Sequence, residues 1–151
     1  MLKRIIFSLI LIFSASIIYS QETAKVTEGM FIRGKQVMYA KRSIINLMRS
    51  DQHLESGTIL TTMGKLTFTD GTVSQFEKGI LYNYNGIKTG TVTEYVTVKD
   101  ARTVLMTNEI ISLIDGYKFD NGETIDKDGK LGAGEYLKEG EKIDLEGNRI
   151  K

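Results

Sequence analysis

The chain has 151 residues, with 20 lysine and arginine residues against 19 aspartate and glutamate residues, and it contains no cysteine. A near-neutral charge with both signs interspersed gives no basic surface for nucleic acid or for an anionic membrane. The lack of cysteine excludes disulfides, thiol catalysis and thiolate metal sites. The length suits one compact domain or two very small ones.

The first predicted element is a secretory signal peptide, residues 1–20. Lys3 and Arg4 precede an apolar run that small and polar residues close near Ser20. Serines interrupt this run, and it is shorter than the roughly 20 apolar residues that a spanning helix needs. We therefore expect an exported protein, periplasmic or extracellular, with no membrane attachment after cleavage. A short N-terminal segment, residues 21–27, would open the mature chain.

The remaining chain contains an internal repeat. The stretch LESGTILTTMGKL, from Leu54, aligns with FDNGETIDKDGKL, from Phe119. Further on, FEKGILYNYNG, from Phe76, aligns with LKEGEKIDLEG, from Leu137. Upstream, SIINL matches EIISL. A repeat that cannot cover its own apolar face is expected to pack against its neighbour or to continue its sheet.

The alignment predicts two tandem units, residues 28–90 and residues 100–151, joined by a connecting strand, residues 91–99. Glycines recur in both units about every seven residues. Several follow asparagine or aspartate, and these pairs are Asp70-Gly71, Asn85-Gly86, Asp115-Gly116, Asn121-Gly122 and Asp128-Gly129. Such pairs favour two-residue hairpin turns, and a five-residue strand with a two-residue turn gives this period.

The residues between the turns alternate or are β-branched, as in KLTFT, which would place Leu66 and Phe68 on one face of a strand. The sequence therefore predicts an all-β fold in which each unit is a small antiparallel meander with Asn-Gly and Asp-Gly turns. Two segments, QVMYAKRSIINLM and TVLMTNEIISLI, have an apolar spacing that would also fit a short helix. We expect two short strands around a polar turn in each, because valine, isoleucine and threonine favour strands.

The doubled pattern of an apolar residue, a glycine, a strand and Gly-Lys-Leu, followed by LKEGEKIDLEG, resembles a family of secreted bacterial domains of unknown function. Those domains are built from tandem glycine-punctuated units and are often rich in methionine and lysine. The resemblance covers nearly the whole mature chain and is closer in the second unit. It implies secretion and a tandem fold, and it implies no activity.

The stretch TIDKDGKLGAGE has most of the pattern of a calcium loop. With Gly129 in the glycine position, Asp126, Asp128 and Glu135 would supply carboxylates, but Thr124 stands where the loop begins with aspartate. In the first unit, Asp126 and Asp128 align with Thr61 and Met63, while the glycine persists.

A turn is therefore the main interpretation of this stretch. An irregular calcium site that adds Asp120 is the alternative. A copper site built from His53 with Met48 or Met63 is a further possibility, since thioether and imidazole ligands suit copper. Against it, methionine commonly fills cores, and a lone histidine in SDQHLESG is typical of an exposed turn.

No catalytic constellation or cofactor motif is present in the sequence, so we expect a protein that is not an enzyme. Tyr82, Tyr84 and Tyr95 could form a contact surface, but the alternation predicts that Tyr82 and Tyr84 fill the core, like Ile143 and Leu145 in the second unit. The expectation is a secreted structural or interaction protein of the bacterial cell envelope, with an unknown protein or envelope partner. The alternative is a periplasmic protein that binds calcium or copper.

Overall fold

The computed structural model describes residues 28–151, so the predicted signal peptide and residues 21–27 lie outside it. The described chain is all-β, as predicted, and its strands pair in antiparallel fashion. The strands are β1 (Glu28–Arg33), β2 (Gln36–Lys41), β3 (Ile44–Leu47), β4 (Gln52–His53), β5 (Ile59–Leu60), β6 (Lys65–Thr67), β7 (Val73–Gln75), β8 (Ile80–Tyr82), β9 (Lys88–Thr91), β10 (Glu94–Lys99), β11 (Arg102–Thr107), β12 (Ile110–Leu113), β13 (Gly116–Lys118), β14 (Thr124–Asp126), β15 (Lys142–Asp144) and β16 (Arg149–Ile150).

The strands form four sheets. Sheet A has the order β3-β2-β1-β8-β9, and sheet B has the order β4-β5-β6-β7. Sheet C has the order β12-β11-β10-β15-β16, and sheet D pairs β13 with β14. We call β1 to β9, residues 28–93, the first half and β10 to β16, residues 94–151, the second half. The segment predicted as a connecting strand contains β10, which is the central strand of sheet C.

Sheets A and C have the same topology, because in each of them the first three strands of the half lie next to its last two strands. Met30 on the central strand of sheet A pairs with Tyr82, and Val96 on the central strand of sheet C pairs with Ile143. The two segments whose spacing also fitted a helix are strand pairs in both halves, β2 with β3 and β11 with β12. The strand prediction for these segments is therefore confirmed.

Four of the five predicted Asn-Gly and Asp-Gly pairs lie in turns, but the turn type differs from the prediction. At Asp128-Gly129, the N–H of Asp126 donates to the carbonyl of Lys130 (2.9 Å), and the N–H of Gly129, at φ +88°, donates back to Asp126 (3.2 Å). This is a three-residue loop that ends in a left-handed glycine, and only the glycine has positive φ. The prediction of two-residue turns at these pairs was wrong. Gly116 is not in such a turn, because it begins β13.

Two-residue turns do occur, but at pairs other than the five predicted ones, and the Gly34-Lys35 turn between β1 and β2 is one of them. Arg42 and Ser43 (φ +52° and +62°) join β2 to β3, and Asp100 and Ala101 (φ +50° and +58°) join β10 to β11. Positive φ at both central residues is the geometry that matches the twist of the flanking strands. The paired strands therefore impose the turn geometry on Arg42, Ser43 and Ala101, which have no preference for it.

Each half has its own core between a large sheet and the hairpins that cover it. In the first half, Met30, Val37 and Tyr82 on sheet A contact Leu60 and Leu66 on sheet B. In the second half the core contains residues of sheets C and D and of the following loops, namely Val96, Val98, Leu105, Phe119, Ile125, Leu131, Leu137, Ile143 and Leu145. The alternation that was predicted for KLTFT is only half right, since Leu66 is buried while Phe68 is exposed at the start of a turn.

A third apolar cluster joins the halves. Ile110 on β12 packs against Phe31 and Leu81 of sheet A. Beside this cluster, Arg33 Nη2 lies 2.5 Å from Glu94 Oε1 and 3.1 Å from the hydroxyl oxygen of Thr107. The Glu94 side chain is 9% exposed and the Arg33 side chain 20% exposed, so this ion pair is largely removed from water. The two halves therefore share buried contacts.

Candidate functional site

The predicted calcium ligands act as turn residues and partners of lysine and arginine. Asp126 Oδ1 accepts hydrogen bonds from the N–H groups of Asp128 and Lys130, both at 2.9 Å. The backbone N–H of Lys130 lowers the pKa of Asp126 from its usual value, because hydrogen bonds to a carboxylate favour its charged form. Asp128 forms an ion pair with Lys127 (2.7 Å).

Glu135 forms an ion pair with Arg149 (3.2 Å), and Asp120 is exposed in the turn that follows Phe119. Within residues 28–151, no three histidine, aspartate or glutamate side chains come together in a group that could hold a metal ion. In the first half, the hydroxyl oxygen of Thr61 accepts the N–H of Lys65 (3.1 Å), which is the role of Asp126 toward Lys130. The geometry favours the turn interpretation over the calcium site.

The three residues of the predicted copper site lie in different environments. Met48 is buried in the first-half core, as expected for a core-filling methionine. Met63 is 59% exposed in the turn between β5 and β6, and His53 is exposed on β4, at the edge of sheet B. Met48 is buried and Met63 is exposed, so their thioethers are not equally accessible to a copper ion bound at His53.

The three tyrosines of the predicted contact surface also lie in different environments. Tyr82 is buried, its ring stacks on Phe76 at 3.8 Å between centroids, and its hydroxyl accepts the N–H of Glu77 at 2.8 Å. Tyr84 is 40% exposed, so the prediction that it fills the core was wrong. Tyr95 is half-buried on sheet C with Lys142 Nζ 4.8 Å from its ring centroid, a cation–π contact.

Tyr84 is exposed because it lies on the wall of a cleft of about 470 Å³ in the first half. The cleft lies between sheet A and the segment that leads from β3 to β4. Its lining residues are Met30, Tyr39, Asn46, Leu47, Met48, Arg49, Ser50, Gln52 and Tyr84. This volume lies within the range of small-molecule sites, which is about 300–1,000 Å³.

One cross-strand row of sheet A forms the floor of the cleft. Directly paired residues share a face of a sheet, and the register places Tyr82, Met30, Tyr39 and Asn46 in one such row across β8, β1, β2 and β3. Tyr82 and Met30 are buried in the core, Tyr39 is half-buried and Asn46 is exposed. Sheet B therefore covers one end of the row and leaves the other end open.

In the second half the corresponding row is covered. Leu105 takes the place of Tyr39, since it pairs with Val96 as Tyr39 pairs with Met30. Tyr117 pairs with Ile125 as Gln52 pairs with Leu60, and it packs half-buried against the second-half core. Leu145, which aligns with Tyr84, is buried there too. The first half therefore has Tyr39, Gln52 and Tyr84 where the second half has Leu105, Tyr117 and Leu145. The cleft results from these differences.

The rim of the cleft carries polar groups that are held in place. Gln52 Nε2 donates to the carbonyl of Ser50 (3.1 Å), which leaves its Oε1 available as an acceptor. The hydroxyl of Tyr84 donates to the carbonyl of Ala40 (2.8 Å). Partial burial raises the pKa of Tyr84 from its usual value, which favours the protonated hydroxyl. The side chains of Gln52 and Tyr84 are therefore oriented before any ligand arrives.

Sequence reasoning missed Tyr39, Asn46, Arg49 and Gln52 as site residues. The signal was in the repeat alignment, where a position that is apolar in one unit and polar in the other marks a place where the two cores differ. No protein-family model, curated protein or solved structure matches this chain. Residues 28–151 contain no helix long and apolar enough to cross a membrane.

Proposed function

We propose that the chain is an exported, non-enzymatic binding protein of the bacterial cell envelope and that the cleft of the first half is its binding surface. The observation that carries the proposal is the open end of the Tyr82, Met30, Tyr39 and Asn46 row. The corresponding row of the second half is closed by core residues.

The N-terminal sequence supports export, since residues 1–20 have the charge and hydropathy pattern of a signal peptide. The aligned sequences and the shared strand order support an origin by tandem duplication of one unit. On this proposal the second unit begins with Glu94 rather than with residue 100, because Glu94 opens β10 as Glu28 opens β1. The resemblance to secreted tandem domains is consistent with this organisation.

A cleft of this kind is suited to binding. Its floor is apolar and aromatic, and a few polar side chains converge on its rim, as in most small-molecule sites. Tyrosine is common in such surfaces, because it combines an apolar ring with a hydroxyl. At this point of the first half the core is therefore less completely packed, and an apolar and aromatic surface is accessible.

The test is saturable binding of the purified mature chain, residues 21–151, to isolated bacterial envelope in a sedimentation assay. A double variant, Gln52→Tyr with Tyr84→Leu, gives the first half two of the three residues that distinguish the closed second half. We expect this variant to bind about tenfold more weakly or worse, because it loses the Gln52 amide from the rim and the Tyr84 ring from the wall.

Tyr136→Leu is the matched control, since Tyr136 is an exposed tyrosine outside the cleft. It should bind like the wild type. Thermal melts of all three proteins establish that the variants are folded. Equal binding by the folded double variant and the wild type, or no saturable binding by either, would contradict the proposal.

A further inference from the structure

We infer that the cleft accepts a saccharide unit bearing a carboxylate, with the sugar ring against Tyr39 and Tyr84 and the carboxylate on Arg49. This inference rests on the proposed function and names its ligand class. The juxtaposition that supports it is an aromatic wall, an apolar floor, two side-chain amides and one arginine around a single open cleft.

The floor and walls suit the apolar face of a sugar ring. Met30 and Met48 are buried beneath the cleft, and Tyr39 and Tyr84 are partly exposed to it. The C–H groups on one face of a pyranose form an apolar patch, which loses contact with water when it packs on an aromatic ring. Two tyrosine rings provide this contact with little loss of side-chain entropy, because each has only two rotatable side-chain bonds.

The rim suits the hydroxyl groups of the same ring. Asn46 is exposed on the edge strand β3, and its amide offers both a donor and an acceptor. Gln52 offers the acceptor oxygen that its bond to Ser50 leaves available. Neighbouring sugar hydroxyls each donate and accept, so amide groups on the rim can pair with them in both directions.

Arg49 supplies the charge. Its side chain is exposed at the cleft and forms no ion pair with a carboxylate in the part of the chain that the structure describes, whereas Arg33 and Arg149 are both paired. The planar guanidinium binds a carboxylate through two parallel hydrogen bonds. In the second half, Asp115 follows Ile114 as Arg49 follows Met48, so the aligned position carries the opposite charge there.

The single arginine also indicates which anion is expected. No lysine and no second arginine lines the cleft, and phosphate sites usually combine several cations or a helix N-terminus. One guanidinium matches the single negative charge of a carboxylate.

The experiment is a titration of the mature chain, residues 21–151, followed by nuclear magnetic resonance of its backbone amides. The probes are a tetrasaccharide of hexuronic acid and a neutral tetrasaccharide of the corresponding hexose. We expect the uronate to shift the amide resonances of residues 46–52 and to bind about tenfold more tightly than the neutral sugar, as one charge-assisted pair would give.

Arg49→Gln should remove this preference by weakening uronate binding about tenfold, so that the uronate and the neutral sugar bind with similar affinity. Arg102→Gln is the matched control, because Arg102 is exposed on sheet C, away from the cleft. Its uronate affinity should equal that of the wild type.

Equal affinity for the two sugars, or full uronate affinity in folded Arg49→Gln, would overturn the inference. If neither sugar shifts residues 46–52 while envelope binding still depends on Gln52 and Tyr84, the saccharide is wrong and the proposed function stands. If envelope binding does not depend on them either, both fail.

Discussion

In the first half, sheet B leaves one end of the Tyr82, Met30, Tyr39 and Asn46 row uncovered. In the second half, Tyr117 packs over the corresponding region, edge-to-face on Phe119 at 5.3 Å between centroids. The strand order of the large sheets is the same, so the difference arises from the side chains and hairpins that cover them, which form a four-stranded sheet B in the first half and a two-stranded sheet D in the second. A closed core and an open cleft are thus two outcomes of one architecture.

The halves also differ in the charge of their turn residues. Thr61 and Asn83 accept backbone N–H groups in the first half through neutral oxygens. Asp126 and Asp144 accept the corresponding N–H groups in the second half through carboxylates. At these two aligned turns the same local geometry is therefore held by a neutral group in the first half and by a titratable group in the second.

The largest expected effect concerns the contact that joins the halves. Arg33→Met leaves the Glu94 carboxylate, which is 9% exposed, with only the hydroxyl of Thr107 at 2.9 Å as a hydrogen-bond donor among the described side chains. We expect the free energy of unfolding in urea to fall by about 2–4 kcal/mol, since an uncompensated buried charge is costly.

Lys88→Met is the control, because the Lys88 and Glu77 pair is more than half exposed at both side chains. It should cost less than about 1 kcal/mol. If Arg33→Met costs no more than the control, the ion pair does not hold the halves together, and that role falls to the Ile110 cluster and to the hydrogen bonds of Asn108 with Thr91 and Thr93.

A smaller effect is expected at the turn glycines. Gly129→Ala would place a methyl group 2.7 Å from Cγ2 of Val98 at φ +88°, whereas Gly122→Ala has the same φ but no neighbouring atom within 4 Å. We expect about 1 kcal/mol for the strained backbone at Gly122 and about 2 kcal/mol at Gly129, where crowding adds to it.

Gly64→Ala tests whether the first half has the same requirement at the aligned glycine, since its methyl group would lie 3.0 Å from Cβ of Phe76. Denaturation midpoints of the three variants compare them directly. A cost at Gly64 as small as that at Gly122 would show that the aligned glycines are crowded in the second half only.

The all-β class and the hairpins around Arg42 and Asn108 could be predicted from the sequence, because apolar alternation and β-branched residues act locally. The turn type could not. Asparagine or aspartate before glycine fits both a two-residue and a three-residue loop, and the choice depends on the register of the flanking strands. Arg42 and Ser43 show the converse, since the pairing of β2 with β3 gives them a conformation that neither residue prefers.

The candidate site could not be predicted from local sequence patterns, for a similar reason. Tyr84 alternates with buried Tyr82 and so was predicted to be buried. Tyr84 is exposed because sheet B leaves the neighbouring Tyr39 partly uncovered. Sheet B has Gln52 at the position where the second half has Tyr117. Pairing across sheets is not encoded in the spacing along one strand.

The smallest expected effect is the acid sensitivity of one turn. The folded-state pKa of Asp126 is lowered from its usual 3.8, chiefly by the N–H of Lys130, so its contribution to stability is complete above that value and is lost as pH falls through the lowered pKa. Asp126→Thr gives the second half the neutral residue of the first. The melting temperature of the wild type should therefore fall more steeply than that of the variant below about pH 4, while the reciprocal Thr61→Asp should make the fall steeper.

Calcium separates the two interpretations of this aspartate: a turn residue predicts the same melting temperature at pH 7 with and without millimolar calcium. A rise that calcium gives the wild type and not Asp126→Thr would identify Asp126 as a metal ligand instead.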